Sequence, residues 1–444
     1  MPSHSLLTSS LQYGIVSRSL PLTGKIFRGY LDASGTGTGL GIGNPNAEFT
    51  PNVSACALTS DGGTAKILWG YRNGEVAIMT GNKVMDPGGR TAAKLVRCKV
   101  DEEHEGAVLN AVWDDGKGPM VVTGGADGRV KIWDTKVKCV WTSGRKAGTL
   151  VPDGCVKIAS ALGMGFVASA MHSGEIVIWT GFDLESLVDS PPVPSVKEIR
   201  IPSPIVIPHD PENPTAPHEI TALYVDSTAS LPTLLVTYED HPHFYRLCVD
   251  VNTNSVTHTI FGDKSFGPIS SLKPYFSNQF GESSFVITGD HLGCVSIYDW
   301  TLPSAPIRNF EAHQDGSSVT ALAWNGVTLI TGSARGMVHV WDALTFEHLR
   351  TFASPISRDR GGRAGPENKP VSQILIGPER ELLLVSVGDR VMAWKAGPVP
   401  KNGKGAGGVR GRNGIGAAGK RKREKSGAAK YIREFCSPCV WVLY

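Results

Sequence analysis

Gly128-Arg-Val130-Lys-Ile132-Trp133-Asp134 reads as a turn glycine followed by branched apolar residues two and four positions on, and then by an aromatic. The spacing returns as Gly74-Glu-Val76-Ala-Ile78, Gly174-Glu-Ile176-Val-Ile178-Trp179, Gly293-Cys-Val295-Ser-Ile297-Tyr298 and Gly336-Met-Val338-His-Val340-Trp341. Period-two alternation of β-branched residues after a glycine marks a strand launched from a tight turn. Five copies mark an array of similar small sheets, none of which can bury a core alone.

Working outward from each glycine places the neighbouring strands. The clearest unit runs Val108 to Trp113, Met120 to Thr123, Val130 to Trp133 and Cys139 to Thr142, and residues 319 to 353 repeat it closely. Degenerate units fit the period at Ile220 to Val249 and Val371 to Trp394, which brings the count to seven. The seventh lacks an outer strand of its own, and Lys25-Ile-Phe-Arg-Gly-Tyr-Leu31 is a strand standing before the first unit. The expectation is therefore an all-β ring of seven blades, with residues 25 to 31 completing the last one and removing a free sheet edge. The division that follows is an N-terminal extension (1–24), a repeat domain (25–397) and a disordered basic Gly-rich tail (398–444).

Composition narrows the function classes. Residues 395 to 434 hold twelve Lys and Arg against Glu424 and Glu434, a net +10; with +3 for the whole chain, the rest carries −7. An acidic body does not bind nucleic acid through its surface field. The basic tail could make nonspecific nucleic-acid contact, although it has no aromatic residue for base stacking before Tyr431. No run approaches the roughly 18 apolar residues of a membrane span, and no basic start precedes an apolar block. A cytoplasmic or nuclear protein is expected, with the nucleus favoured by Lys420-Arg421-Lys422-Arg423, a block of cations of the kind read by nuclear import. The apolar end, Phe435 to Tyr444, is read as a clipped or misread terminus.

The chain resembles the WD-repeat β-propeller family. Trp133-Asp134, Trp341-Asp342 and the variant Tyr298-Asp299 close third strands, and His104 and His313 precede first strands. The resemblance implies a seven-bladed propeller and a binding platform for protein or peptide partners, without catalysis. In the second blade His104, Thr123, Asp127 and Trp133 match the family's structural tetrad. A buried indole N–H needs an acceptor, a threonine hydroxyl can accept it and donate to imidazole, and a carboxylate can take the remaining imidazole proton.

The position of Asp127 becomes Asn73, Ser173, Leu292 and Arg335 in the other aligned turns. With Arg335 there, His313 and Trp341 are not expected to close the same network. Arg72, Asn73, His172, Ser173, His291 and Arg335 form the candidate partner-binding face, with Arg335, Arg72 and His172 expected side by side. The divergent blades, long insertions (181–218 and 354–370) and basic tail also resemble fungal F-box/WD-repeat proteins, substrate receptors of ubiquitin ligases, although residues 1–24 are too short for an F-box. Subunits of such a ligase, or of a nuclear ribosome or chromatin assembly complex, are the partners those alternatives imply. No Walker loop, nucleophile elbow or His-Glu-x-x-His motif is present, Ser34 to Gly43 lacks the Lys-Ser/Thr of a phosphate loop, and neither His241-Pro-His243 nor Cys436-Ser-Pro-Cys439 has a second ligand pair. No catalytic residue, metal or cofactor is assigned.

Overall fold

The computed structural model describes residues 6–11, 14–19, 26–33, 52–61, 64–81, 94–114, 120–145, 151–183, 196–205, 218–253, 255–277, 283–302, 305–352, 369–377, 382–388, 390–395, 430–432 and 441–443. Their strands make eight four-stranded antiparallel sheets. Seven are the blades legible in sequence; blade two, for example, is Val108–Trp113, Val121–Gly125, Val130–Trp133 and Cys139–Thr142. The eighth joins the two ends of the chain. Its innermost strand is Trp441–Leu443, followed outward by Leu6–Ser10, Ile15–Ser19 and Ile26–Asp32.

The ring is thus eight-bladed, which corrects the expectation of seven. Ile26–Asp32 is an outer strand, as expected, but of the eighth blade, where it pairs with Ile15–Ser19. Blade seven, Val371–Ile376, Leu382–Val387 and Arg390–Lys395, takes its fourth strand from Lys430–Ile432. Sequence periodicity misses the extra blade for a physical reason. Its first strand follows its other three at the far end of the chain, so no local window contains the repeat, although Gly14 (φ 58) does launch Ile15–Ser19 as its counterparts do elsewhere. The expected disordered tail is likewise interrupted by two paired strands, and Trp441–Leu443 gives the apolar terminus a place in the fold. Lys420 to Arg423 lie outside the described residues, as do Ser34 to Gly43, Cys436 and Cys439.

Eight apolar clusters sit at the eight junctions between blades. Leu7 and Val16 pack with Val53 and Ile67 where blade eight meets blade one, and Leu6 packs with Leu384 and Ala393 where it meets blade seven. Between them run junctions such as Val108 with Leu68, Ile158 with Val122, Leu234 with Phe166 and Val371 with Ile330. The core is therefore a circle of interfaces in which each blade is stable only against its neighbours.

Two devices repeat at these junctions. The first strand of each of blades one to seven carries a register shift after its first residue, as between Val319 and Ala321 or Val371 and Gln373. In blades five and six a hydroxyl at the bulge latches onto the next blade: Ser270 Oγ, and Ser271 Oγ beside it, each donate to the Val319 carbonyl at 2.7 Å, and Thr320 Oγ1 donates to that of Val371 at 2.6 Å. In addition, a glycine near the end of the second strand admits the first residue of the next blade. A Cβ on Gly70, Gly124, Gly289 or Gly332 would lie within 2.5 Å of Val108, Cys155, Val319 or Val371 respectively.

Candidate functional site

All blades run the same way outward, so the turns between second and third strands share one face of the ring. In blade two the turn is locked. Trp133 Nε1 donates to Thr123 Oγ1 at 2.8 Å, and Thr123 Oγ1 is 2.8 Å from His104 Nε2. His104 Nδ1 lies 3.1 Å from Asp127 Oδ1, and the carboxylate also accepts the backbone N–H groups of Glu105 and Arg129. One tautomer satisfies every link, with Thr123 donating to Nε2 and Nδ1–H donating to Asp127. Burial alone would raise the Asp127 pKa, but the hydrogen bond and charge of His104, with the two amides, outweigh it and hold the carboxyl at about 2. All four side chains are buried. The tetrad is engaged within itself and braces the turn.

Blade six keeps half of this network. Trp341 Nε1 still donates to Thr331 Oγ1 at 3.2 Å, but Arg335 turns outward to Asp315, 3.0 Å away. His313 is left buried with no partner for Nε2 and stacks on His339 at 4.6 Å between centroids. The Ser333 hydroxyl replaces the missing carboxylate only in capping the turn, accepting from the N–H groups of Arg335 and Met337.

Burial, and then the neighbouring His339, push the His313 pKa down to about 4, with Asp315 opposing weakly. The unfolded chain takes up this proton at about 6.5 and the folded chain only near 4, so stability is full above 6.5 and is lost as pH falls toward 4. The loss reaches about 3 kcal/mol. Asp127 adds about 2 kcal/mol between its ordinary value and about 2, again lost on acidification. Chemical denaturation at pH 7 and pH 4.5 should therefore show a loss of about 2–3 kcal/mol that His313→Leu removes; an unchanged pH response in the variant would mean that another group is responsible.

The remaining turn residues are spread around the rim. Arg72 and Asn73 belong to blade one, His172 and Ser173 to blade three, His291 to blade five and Arg335 to blade six. Intervening blades separate Arg72, His172 and Arg335, so the continuous cationic patch does not form. Most of these side chains are also paired locally: His172 Nδ1 with Glu219 at 2.8 Å, Ser173 with Asp153, Asn73 with Asn52, and His291 Nδ1 with Ser318 Oγ at 3.5 Å. Arg72 is exposed. His241 and His243 stand 5.1 Å apart between ring centroids, and among the described residues no group of three His, Cys, Asp or Glu is placed to hold a metal.

A concavity in the centre of the ring goes unmarked by the turn motif. A channel of about 610 Å³ is lined by the first strands of blades four to seven, with Glu239, Asp240, His291 and Ala334 at the turn face and Lys273 further in. One departure in sequence points toward it: the fourth blade's turn, Glu239-Asp-His-Pro-His243, lacks the launching glycine, and Asp240 itself takes a positive φ of 52°. The Lys273 ammonium pKa is lowered by the protein around it.

This closed circle of four-stranded antiparallel blades defines a β-propeller. Within it, the family model described as "WD domain, G-beta repeat" matches residues 96–134 and 304–342, blades two and six with outer-strand residues before each. Among solved structures, the computationally designed Ika8 protein is similar at a TM-score of 0.55, with 18% identity over 88% of this chain and 93% of that one. Sqt1 of Saccharomyces cerevisiae is similar at 0.53, with 10% identity over 78% of this chain and 82% of its own. At these identities the likeness is one of fold. No curated protein matches the chain in sequence.

Proposed function

We propose that this propeller is a non-catalytic scaffold that takes a protein or peptide partner on its turn face. The observation that carries the reading is the contrast between a uniform ring and a varied rim. Four junctions repeat a close contact between a second-strand glycine and the first residue of the next blade, Val108, Cys155, Val319 or Val371, whereas the aligned turn position holds Asn73, Asp127, Ser173, Leu292 and Arg335. A rigid frame with diverse polar turns binds with little ordering cost and draws its specificity from the turns. Pull-down with the full chain, compared with Arg335→Asp and Arg72→Asp, tests the reading. Arg335→Asp removes the 3.0 Å ion pair with Asp315 and reverses the charge at this turn, and at least one partner is expected to lose binding about tenfold, the scale of one such interaction; retention of every partner by both variants overturns the role of this face.

A nuclear site of action is the reading that the cation block Lys420 to Arg423 supports in the sequence. Replacing all four residues with alanine spares the strands Arg390–Lys395 and Lys430–Ile432. Nuclear accumulation of a fluorescent fusion should fall to the level of diffusion, and an unchanged nuclear fraction would reject the import reading.

A further inference from the structure

The outermost strand of each blade turns one row of backbone N–H and C=O groups away from the ring, and such an edge pairs with another chain unless something opposes it. Among the described strands, six of the eight outer edges carry a cation: Arg97, Arg200, Arg308, Arg350, Lys430 and Arg28, in blades one, three, five, six, seven and eight. The edge of blade two, Cys139–Thr142, is protected differently. It has four residues, shifts register at Trp133, and gives the Cys139 N–H to the Glu102 carboxylate at 3.0 Å.

Blade four has none of these safeguards. Its outer strand, Ser255–Phe261, contains no Lys, Arg, Asp, Glu or Pro, and it pairs with Phe244–Asp250 at seven successive positions without a break in register. Four of the seven residues, Val256, Thr257, Thr259 and Ile260, are β-branched and suited to an extended ladder. Ser255, Thr257, His258 and Ile260 are exposed, Ile260 by 59%. Among the described residues nothing outside the blade bonds to the backbone of this strand.

The order of its residues says what fits beside it. Turned end to end about His258, the strand meets its own kind: Val256 falls opposite Ile260, Thr257 opposite Thr259, and His258 opposite itself. Antiparallel strands related by a twofold axis pair in this way. Side chains alternate between the two faces, so the Val and Ile of both copies gather on the face toward blade three, where Val256 already packs, and the threonines on the other, where Thr259 meets Arg246. Opposed pairs of these kinds contribute about 0.2–1 kcal/mol each, beyond the backbone bonds of the new ladder.

We infer that two copies of this chain associate edge to edge through Ser255–Phe261, joining their fourth blades into one eight-stranded antiparallel sheet with His258 on the twofold axis. The contact lies on the outer rim, away from the turns between second and third strands. The dimer therefore goes beyond the scaffold reading: it presents two turn faces at once, and a partner with two copies of a binding segment is held by both.

Sedimentation velocity of the full chain over about 1–200 µM should show a monomer–dimer equilibrium. His258→Lys sets two ammonium groups against each other on the axis, and His258→Glu sets two carboxylates; each should weaken association by about tenfold or more. An equimolar mixture of the two variants should recover the dimer, because unlike charges then meet. Melting temperatures equal to that of the wild type at about 1 µM, where the chain is monomeric, would show that this exposed position leaves the blade intact. A wild type that stays monomeric at about 200 µM, a dimer indifferent to both substitutions, or a mixture that remains monomeric would overturn the pairing. The register has its own check in the double variant Thr257→Lys, Thr259→Glu, which places Lys opposite Glu across the axis twice. It should dimerise, more weakly as salt is added, and a monomer at low salt would reject the twofold at His258.

Discussion

Removing residues 430–444 is expected to open the ring. Trp441–Leu443 pairs with Leu6–Ser10 as the innermost strand of blade eight, and Lys430–Ile432 is the outer strand of blade seven. Without them, Leu6–Ser10 becomes a free edge next to the channel, and Leu6 and Leu7, both fully buried, lose the strand beside them. At about 1.5–3 kcal/mol per buried leucine, exposure of this pair alone costs about 3–6 kcal/mol. That is a large part of the total stability of a folded domain. The unpaired edge would also template association with other chains. The truncated protein should melt well below the full chain and elute as oligomers in size-exclusion chromatography with light scattering. A monomer with an unchanged melting temperature would show that the ring does not depend on this closure.

Gly332→Val should be the most damaging single substitution at a junction. A Cβ at this position falls 2.5 Å from Cγ1 and 2.7 Å from Cβ of Val371, the fully buried first residue of the next blade. Neither atom is the far end of a flexible side chain, so relief requires the two blades to move apart. Overpacking of this kind costs about 3 kcal/mol, at the upper end of its usual range. Gly332→Ala, which adds the clashing Cβ alone, should cost about 2 kcal/mol, and combining it with Val371→Ala should recover about 1 kcal/mol in a double-mutant cycle. Gly144→Ala is the matched control, since nothing lies within 4 Å of the added atom. Equal melting temperatures for Gly332→Val and the wild type would refute the close approach.

The candidate site divides in a similar way between what was legible in sequence and what was not. The tetrad partners sit at family spacing from a turn glycine, so their hydrogen-bond chain was readable from residue types that satisfy one another. That Arg335 breaks the network was also readable, because it removes the carboxylate acceptor; the structure adds that the threonine link is lost too, with Nε2 of His313 unbonded, and that Arg335 pairs with Asp315. The expected cationic patch was not sound. Equivalent positions in a repeat share a face, but in a ring they point along different radii, and Arg72, His172 and Arg335 are separated by intervening blades. The channel was not legible either, because Glu239, Asp240 and Lys273 come from two blades and follow no common spacing in the chain.

By itself the sequence determined the blades whose strands are consecutive, since period-two alternation and a turn glycine are properties of a few neighbouring residues. Only the tertiary structure decided the eighth blade, the closure and the charged lining of the channel. Each depends on residues far apart in the chain, such as Leu7 opposite Val442, brought together by ring closure and not by any local preference.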